Sequence, residues 1–256
     1  MGATVRSARS ADPVALVTGA AAPDGIGAAC ARALAAEGCR VGLLDVADPS
    51  AVVDEIRSAG GRAIALTADL RDEGAIAGAL DELTDAFGAC SILVNNAADL
   101  TRGTLAETTR ERLRQVLAVN VEATVSLCRR VAPGMADRGW GRIVNIASDT
   151  FDRPPGPGLL AYITSKGAVI GLTRALAVEL GPSGITVNAI SPGLTRTGAA
   201  TADQPQELFD AVRDGQAIKR TLEPADYAGV LAFLVSDQGG VITGQTISAD
   251  AGLVFR

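Results

Sequence analysis

Residues 14–37 read VALVTGAAAPDGIGAACARALAAE. A short apolar run, VALVTG (14–19), meets a glycine-rich turn, Thr18 to Gly27, that opens into a helical segment from about Gly25 to Glu37. Strand, tight glycine turn and helix in that order let backbone N–H groups approach a pyrophosphate, and the helix N-terminus adds positive potential. The glycines Gly19, Gly25 and Gly27 do not fit G-x-G-x-x-G, so taken alone the stretch is equally well a plain turn.

The rest of the chain decides between these readings. Short apolar runs alternate with helical patterns: strands at 41–46, 63–70, 91–97, 141–148 and 185–193, helices at 50–60, 72–88, 106–136, 159–181 and 224–236, and a last strand region in VITGQTISADAG, 241–252. The strands are rich in Val, Ile and Leu and do not alternate with polar residues, as expected for a parallel sheet covered on both faces. Repeated βα units of this length predict an α/β, single-domain, doubly wound parallel sheet flanked by helices, over 13–256, after a loose tail at 1–12. The one long connection without strong periodicity, 194–223, follows a strand's carboxyl end, where ligands bind in such sheets, and is expected to be a mobile substrate lid.

Composition narrows the chemistry. Of 256 residues 48% are hydrophobic, enough for a large core, and a net charge of −6 offers nothing to nucleic acid or to an anionic membrane. With no secretory leader pattern and no apolar run of about 18 residues, a soluble cytoplasmic protein is expected. Cys30, Cys39, Cys90 and Cys128 form no C-x-x-C pair and are expected as buried thiols. Histidine is absent, which removes Ser-His-Asp catalysis and the commonest zinc ligand; no metal is expected, and proton chemistry falls to carboxylates, Lys, Tyr or Cys.

Several motifs, taken together, resemble the short-chain dehydrogenase/reductase family from Val14 onward. They are the turn, ADL (68–70), NNAA (95–98), Asn120, Ser148, Tyr162-x-x-x-Lys166, SPG (191–193) with Thr195, and ITGQTISADAG near the end. The family turn reads T-G-x-x-x-G-x-G, so Pro23-Asp24 resembles an insertion, and Ala98 stands where the family has glycine. The resemblance implies a Rossmann-type fold and a catalytic set of Asn120, Ser148, Tyr162 and Lys166. Tyr162 would be the general acid/base, Ser148 would orient the substrate oxygen, Lys166 would hold the nicotinamide ribose, and Asn120 would hold a water linking Lys166 to solvent. Tyr162 and Lys166 lie four apart, on one face of a helix, where the ammonium should lower the phenol's pKa.

The resemblance also implies a cofactor site of Gly19, Gly25, Ile26, Gly27, Asp45, Asp69, Leu70, Asn96, Ala97, Pro192, Gly193 and Thr195, together with Tyr162 and Lys166. Asp45 ends the second strand, where an acidic residue bonds the ribose hydroxyls, and the next residue is Val46, not Arg. With Asp24 adding a second negative charge, NAD is expected over NADP. The expected reaction is interconversion of a secondary alcohol, aromatic or cyclic, and its ketone, and the expected assembly is a homotetramer. Alternatives of the same fold are a 3-oxoacyl-carrier-protein reductase and an enoyl reductase, though the latter's tyrosine and lysine are spaced more widely. A non-catalytic NAD-binding protein is the alternative of a different class.

Overall fold

The computed structural model describes residues 12–255; the tail expected at 1–12 lies outside them except for Asp12, whose carboxylate pairs with Arg62 at 2.7 Å. The strands are β1 (Val14–Thr18), β2 (Arg40–Asp45), β3 (Arg62–Thr67), β4 (Ile92–Asn95), β5 (Gly141–Ile146), β6 (Ile185–Pro192) and β7 (Thr246–Ala249). They form one parallel sheet of seven strands in the order β3-β2-β1-β4-β5-β6-β7. Chain order reverses between β1 and β4, which opens a crevice at their carboxyl ends.

Both sheet faces are covered, as the unalternating strands required. One layer joins α1 (Ile26–Ala36) and α2 (Ser50–Ser58) to a later helix at Ala228–Val235, through Ala28, Leu34, Val52, Ile56 and Leu231. The other is built on α3 (Glu73–Phe87), whose Ile76 and Leu83 join Leu127, Met135 and Ala177. The four cysteines are buried and form no disulfide. Among the described residues no helix is long and apolar enough to cross a membrane.

The helix predicted over 106–136 is in three parts. Thr109 caps α4 (Arg110–Leu117) by accepting the Arg112 N–H at 3.2 Å; a π-helical turn, Ala118–Glu122, follows, and then α5 (Ala123–Asp137). The widened turn carries Asn120 inward. A long helix, α6 (Leu160–Leu180), packs beside it. The 194–223 segment holds two helices, α7 (Gly198–Asp203) and α8 (Gln206–Gly215). The predicted strand at 63–70 stops at Thr67, and Asp72 then caps α3 by accepting the N–H groups of Gly74 and Ala75 at 2.8 and 3.1 Å. The helix expected from Pro224 begins as a 3₁₀ turn, Pro224–Tyr227, and continues as α9 (Ala228–Val235).

A polar chain crosses the buried sheet. Asn95 of β4 lies directly beside Asn145 of β5 and donates to its side-chain oxygen at 2.8 Å; Asn145 donates to Thr173 Oγ1 of α6 at 2.9 Å.

Candidate active site

The glycine turn is locked to the loop after β4. Thr18 Oγ1 accepts the backbone N–H groups of Asn96 and Ala97, both at 3.0 Å, and Asn96 Nδ2 donates to the carbonyls of Thr18 and Gly19, both at 2.9 Å. The Asn96 side chain is thus committed to the turn's own backbone. Gly19 has φ +66°, and a Cβ there would lie 2.7 Å from Ala97 Cα; one on Gly27 would strike the Gly19 carbonyl. Ala22–Gly25 folds into a β-turn closed by Gly25 N–H on the Ala22 carbonyl at 2.9 Å, with Pro23 at its second position. Gly25 then opens α1 with no side-chain cap and no acidic residue in the first turn, so the leading amides of Ile26 and Gly27 have no side chain competing for them. A crowded backbone cradle ahead of an uncapped helix end fits a pyrophosphate.

Asp45 closes β2 and faces this turn. One carboxylate oxygen accepts the Ala21 N–H at 2.9 Å and the other that of Ala47 at 3.1 Å, which leaves a lone pair on each for a further donor. Val46 is 69% exposed. Asp24 does not share this place: its carboxylate lies against Gly198, at the start of α7. Asp69 pairs with Arg71 at 2.6 Å, and hydrogen bonds from that side chain and its backbone hold the carboxyl down at about 2, while Leu70 is buried beneath.

Ser148, Tyr162 and Lys166 meet at the carboxyl end of β5. Ser148 accepts from Thr150 Oγ1 at 2.9 Å and from its N–H at 3.3 Å, so its own proton is not spent on Thr150. The Ser148 hydroxyl lies against the Tyr162 phenol and favours its ionised form. Lys166, 3% exposed, donates from Nζ to the Ile146 carbonyl at 2.6 Å. One expectation is corrected here. Burial pushes the Tyr162 phenol up to about 12 and drives Lys166 down to about 8, so in this state desolvation of the phenol outweighs help from the ammonium, which sits 5.4 Å from the ring centre and bonds elsewhere.

Asn120, 2% exposed, reaches the same helix through its side chain. Its oxygen accepts the Asp99 N–H at 2.6 Å, and Nδ2 donates to the Asp99 carbonyl at 3.0 Å and to Ser165 Oγ at 2.9 Å. Ser165 in turn donates to the Tyr162 carbonyl at 2.7 Å, so the π turn is tied to the backbone of Tyr162.

Pro192 ends β6 and Gly193 follows with no space for a side chain, its Cβ position lying 2.9 Å from Leu222 Cδ1 and 3.1 Å from Asp250 Cβ. The Thr195 hydroxyl is turned inward: it donates to the Gly193 carbonyl at 2.8 Å and shares a 2.5 Å hydrogen bond with Tyr227 Oη. The 194–223 segment is held on several sides. Arg102 pairs with Asp203 at 3.0 Å, Arg196 pairs with Glu223 at 3.5 Å and stacks over Phe209, and Phe209 is 3% exposed, part of the interior and not of an open pocket wall. Sequence reasoning missed Asp149, Asp250 and Tyr227, all buried around these strand ends. The available signals were that Tyr227 is one of two tyrosines and that Asp149 directly follows Ser148.

Residues 19–254 match the family model described as enoyl-(acyl carrier protein) reductase. The oxidoreductase UcpA of Salmonella typhimurium is 35% identical over 246 residues, covering 93% of both chains. A crystal structure of a dehydrogenase/reductase from Sinorhizobium meliloti superposes with TM-score 0.88 at 41% identity, covering 97% of this chain and 98% of that one. A blue fluorescent protein from a metagenomic library, solved in complex with NADPH, superposes with TM-score 0.86 at 33% identity, covering 95% and 98%. With this sheet order, this glycine turn and these relatives along nearly its whole length, the chain belongs to the short-chain dehydrogenase/reductase family and is an oxidoreductase of that type.

Proposed function

We propose that this chain interconverts a secondary alcohol and its ketone with NAD(H), in the cytoplasm, using Tyr162 as general acid/base. The observation that carries the reading is the convergence of Ser148, Tyr162 and Lys166 at one strand end. A bound nicotinamide supplies the hydride in reduction and takes it in oxidation. In reduction the Ser148 hydroxyl holds the substrate oxygen, and Tyr162 Oη delivers the proton that makes it a hydroxyl; in oxidation Tyr162 takes that proton back. The two Lys166 protons not given to Ile146 hold the ribose. Asn120, its amide nitrogen committed to Asp99 and Ser165, holds through an oxygen the water that passes protons between Lys166 and solvent.

The preference for NAD rests on Asp45. Its carboxylate is fixed by Ala21 and Ala47, suits two ribose hydroxyls and repels a 2′-phosphate, and no basic side chain follows it. The NADPH complex concerns a neighbour of 33% identity. Gly19, Gly25, Ile26 and Gly27 take the pyrophosphate, Asp69 and Leu70 the adenine, and Asn96, Ala97, Pro192, Gly193 and Thr195 the nicotinamide side. With the Thr195 hydroxyl held by Tyr227, its contribution there comes from the backbone. The four-residue spacing of Tyr162 and Lys166 favours this reading over the enoyl reductase branch. An aromatic or cyclic substrate is taken between 99–103, 149–160 and 194–215.

The assembly is a homotetramer, for which exposed apolar side chains on α5 and α6 give support, Val178 being 80% exposed. Light scattering should give four times the 25.9 kDa monomer mass, and the monomer mass alone would refute the assembly. A panel of alcohols, ketones and 3-oxoacyl thioesters, run with NAD and NADP in parallel and read by nicotinamide absorbance, tests the function. Turnover of a secondary alcohol with NAD is expected; NADH binding without turnover of any substrate would leave a non-catalytic protein.

A further inference from the structure

Tyr162 stands where a helix is weakest. It lies in the first turn of α6, which opens at Leu159 with no side-chain cap and no acidic residue in that turn. The chain enters the helix through Gly156, Pro157 and Gly158, the last with φ +96°. The leading N–H groups of a helix have no partner within it, and an uncapped end frays. A group that must transfer a proton from such a turn needs an outside hold, because a displacement of about 1 Å costs about 10²-fold in rate.

Ser165, 0% exposed, provides a hold from one turn further on. Its Oγ donates to the Tyr162 carbonyl at 2.7 Å and accepts from Asn120 Nδ2 at 2.9 Å. A helical carbonyl uses one lone pair in the ladder and has a second to offer, so this bond adds to the helix without competing with it. Asn120 is fixed in turn by gripping one residue twice, at the Asp99 N–H (2.6 Å) and the Asp99 carbonyl (3.0 Å). The Asp99 carboxylate accepts the Thr101 N–H at 2.7 Å and Gln115 Nε2 of α4 at 3.2 Å. The other end of this loop reaches the entrance of α6, where the Gly103 N–H donates to the Gly158 carbonyl at 2.8 Å. Segment 99–103 is therefore tied to α6 just ahead of its first turn, through Gly158, and inside it, through Ser165.

Building on the reading of Tyr162 as the acid/base and of 99–103 as a wall of the substrate cleft, we propose that Ser165 is a positioning residue for the reaction: it locks the first turn of α6, and Tyr162 with it, to the π turn and to that wall. Ser165 is itself neither acid nor base and acts through the backbone of Tyr162. Thr164 is the natural comparison. It makes the same kind of bond, Oγ1 to the Leu160 carbonyl at 2.8 Å, but on the exposed side of the same turn and without a link to Asn120.

The test pairs hydrogen exchange with kinetics. In Ser165→Ala, Asn120 Nδ2 loses one of its two acceptors and its grip on Asp99 loosens. The Asp99 amide should then exchange about tenfold faster or more, read by NMR, while the amides of β5 and β6 keep their parent rates. In the same variant kcat should fall by about 10–10²-fold, with KM little changed and NADH Kd within about threefold, because the acid/base is misaligned and the phosphate cradle is untouched. Ser165→Cys, near in size but a much weaker hydrogen-bonding group, should fall between Ser165→Ala and the parent in both readings, and it carries the test if Ser165→Ala does not fold. Thr164→Ala should leave both unchanged. An unmoved Asp99 amide, equal effects in Thr164→Ala, or a lowered Tm with kcat within about twofold of the parent would overturn the proposal. Exchange needs no turnover, so inactivity of the parent on every substrate would count against the reading of Tyr162, while the Asp99 amide would still decide whether Ser165 holds the turn.

Discussion

Replacing Gly27 by alanine tests the claim that the phosphate turn is a packed unit. The new methyl would meet the Gly19 carbonyl and come within 2.6 Å of Asn96 Nδ2, and neither can retreat cheaply. Gly19 is held by its N–H on the Leu44 carbonyl at 2.8 Å, and its own side is closed by Ala97. Overpacking a tight site costs about 1–3 kcal/mol, and losing the Asn96 bond to Gly19 about 1 more. A total of about 2–4 kcal/mol, at roughly 2–4 °C per kcal/mol for a chain of this size, lowers Tm by about 5–15 °C. Displacing the turn also moves its amides, and NADH affinity should fall about tenfold or more, as losing one contact of about 1.4 kcal/mol would do. Circular dichroism melts and NADH fluorescence titration read both effects. The control is Gly78→Ala, in the middle of α3 with nothing within 4 Å of its Cβ position, where helix propensity should raise stability by about 0.5–1 kcal/mol. A Gly27→Ala protein that melts within about 1 °C of the parent and binds NADH as tightly would refute the packed-unit account.

Three further outcomes are expected. Tyr162→Phe should lower turnover by about 10²–10⁴-fold while NADH binding stays within a few-fold; activity within about tenfold of the parent would remove Tyr162 from its role. Asp45→Ala with Val46→Arg should raise kcat/KM for NADP(H) relative to NAD(H), and a parent that already prefers NADP(H) would show that Asp45 has been misread. Hydrogen exchange across 194–215 should slow when NADH binds, most in α7; strong protection with and without cofactor would make the segment a fixed wall, held by Arg102–Asp203 and buried Phe209.

What could be read from the sequence was what local pattern determines. Unbroken Val-Ile-Leu runs marked the buried strands, and residue spacing placed Tyr162 and Lys166 on one helix face. Features decided by contacts distant in the chain were not visible. The π turn at Asn120 arises because its amide is drawn to Asp99 and Ser165, 21 and 45 residues away, and no helical periodicity records that pull. α8 did not show in the 194–223 stretch, which lacks strong periodicity, because its register is set by Phe209, which is buried and stacked under Arg196. The Tyr162 phenol was misjudged because four-residue spacing gives proximity to an ammonium but says nothing about burial, which here is the larger influence.

The Asn95–Asn145–Thr173 chain bears on how the protein avoids misfolding. β4 and β5 are short and apolar, and IL or IV pairs would be nearly as content if one strand slid along the other. Such a slip would turn each side chain to the opposite face and leave amide groups stranded without partners, at about 1–3 kcal/mol for each group. The two asparagines thus act as an alignment key: they add little to the strength of the sheet, but they make the sliding competitor expensive at the centre of the sheet, where a kinetic trap would be hardest to escape.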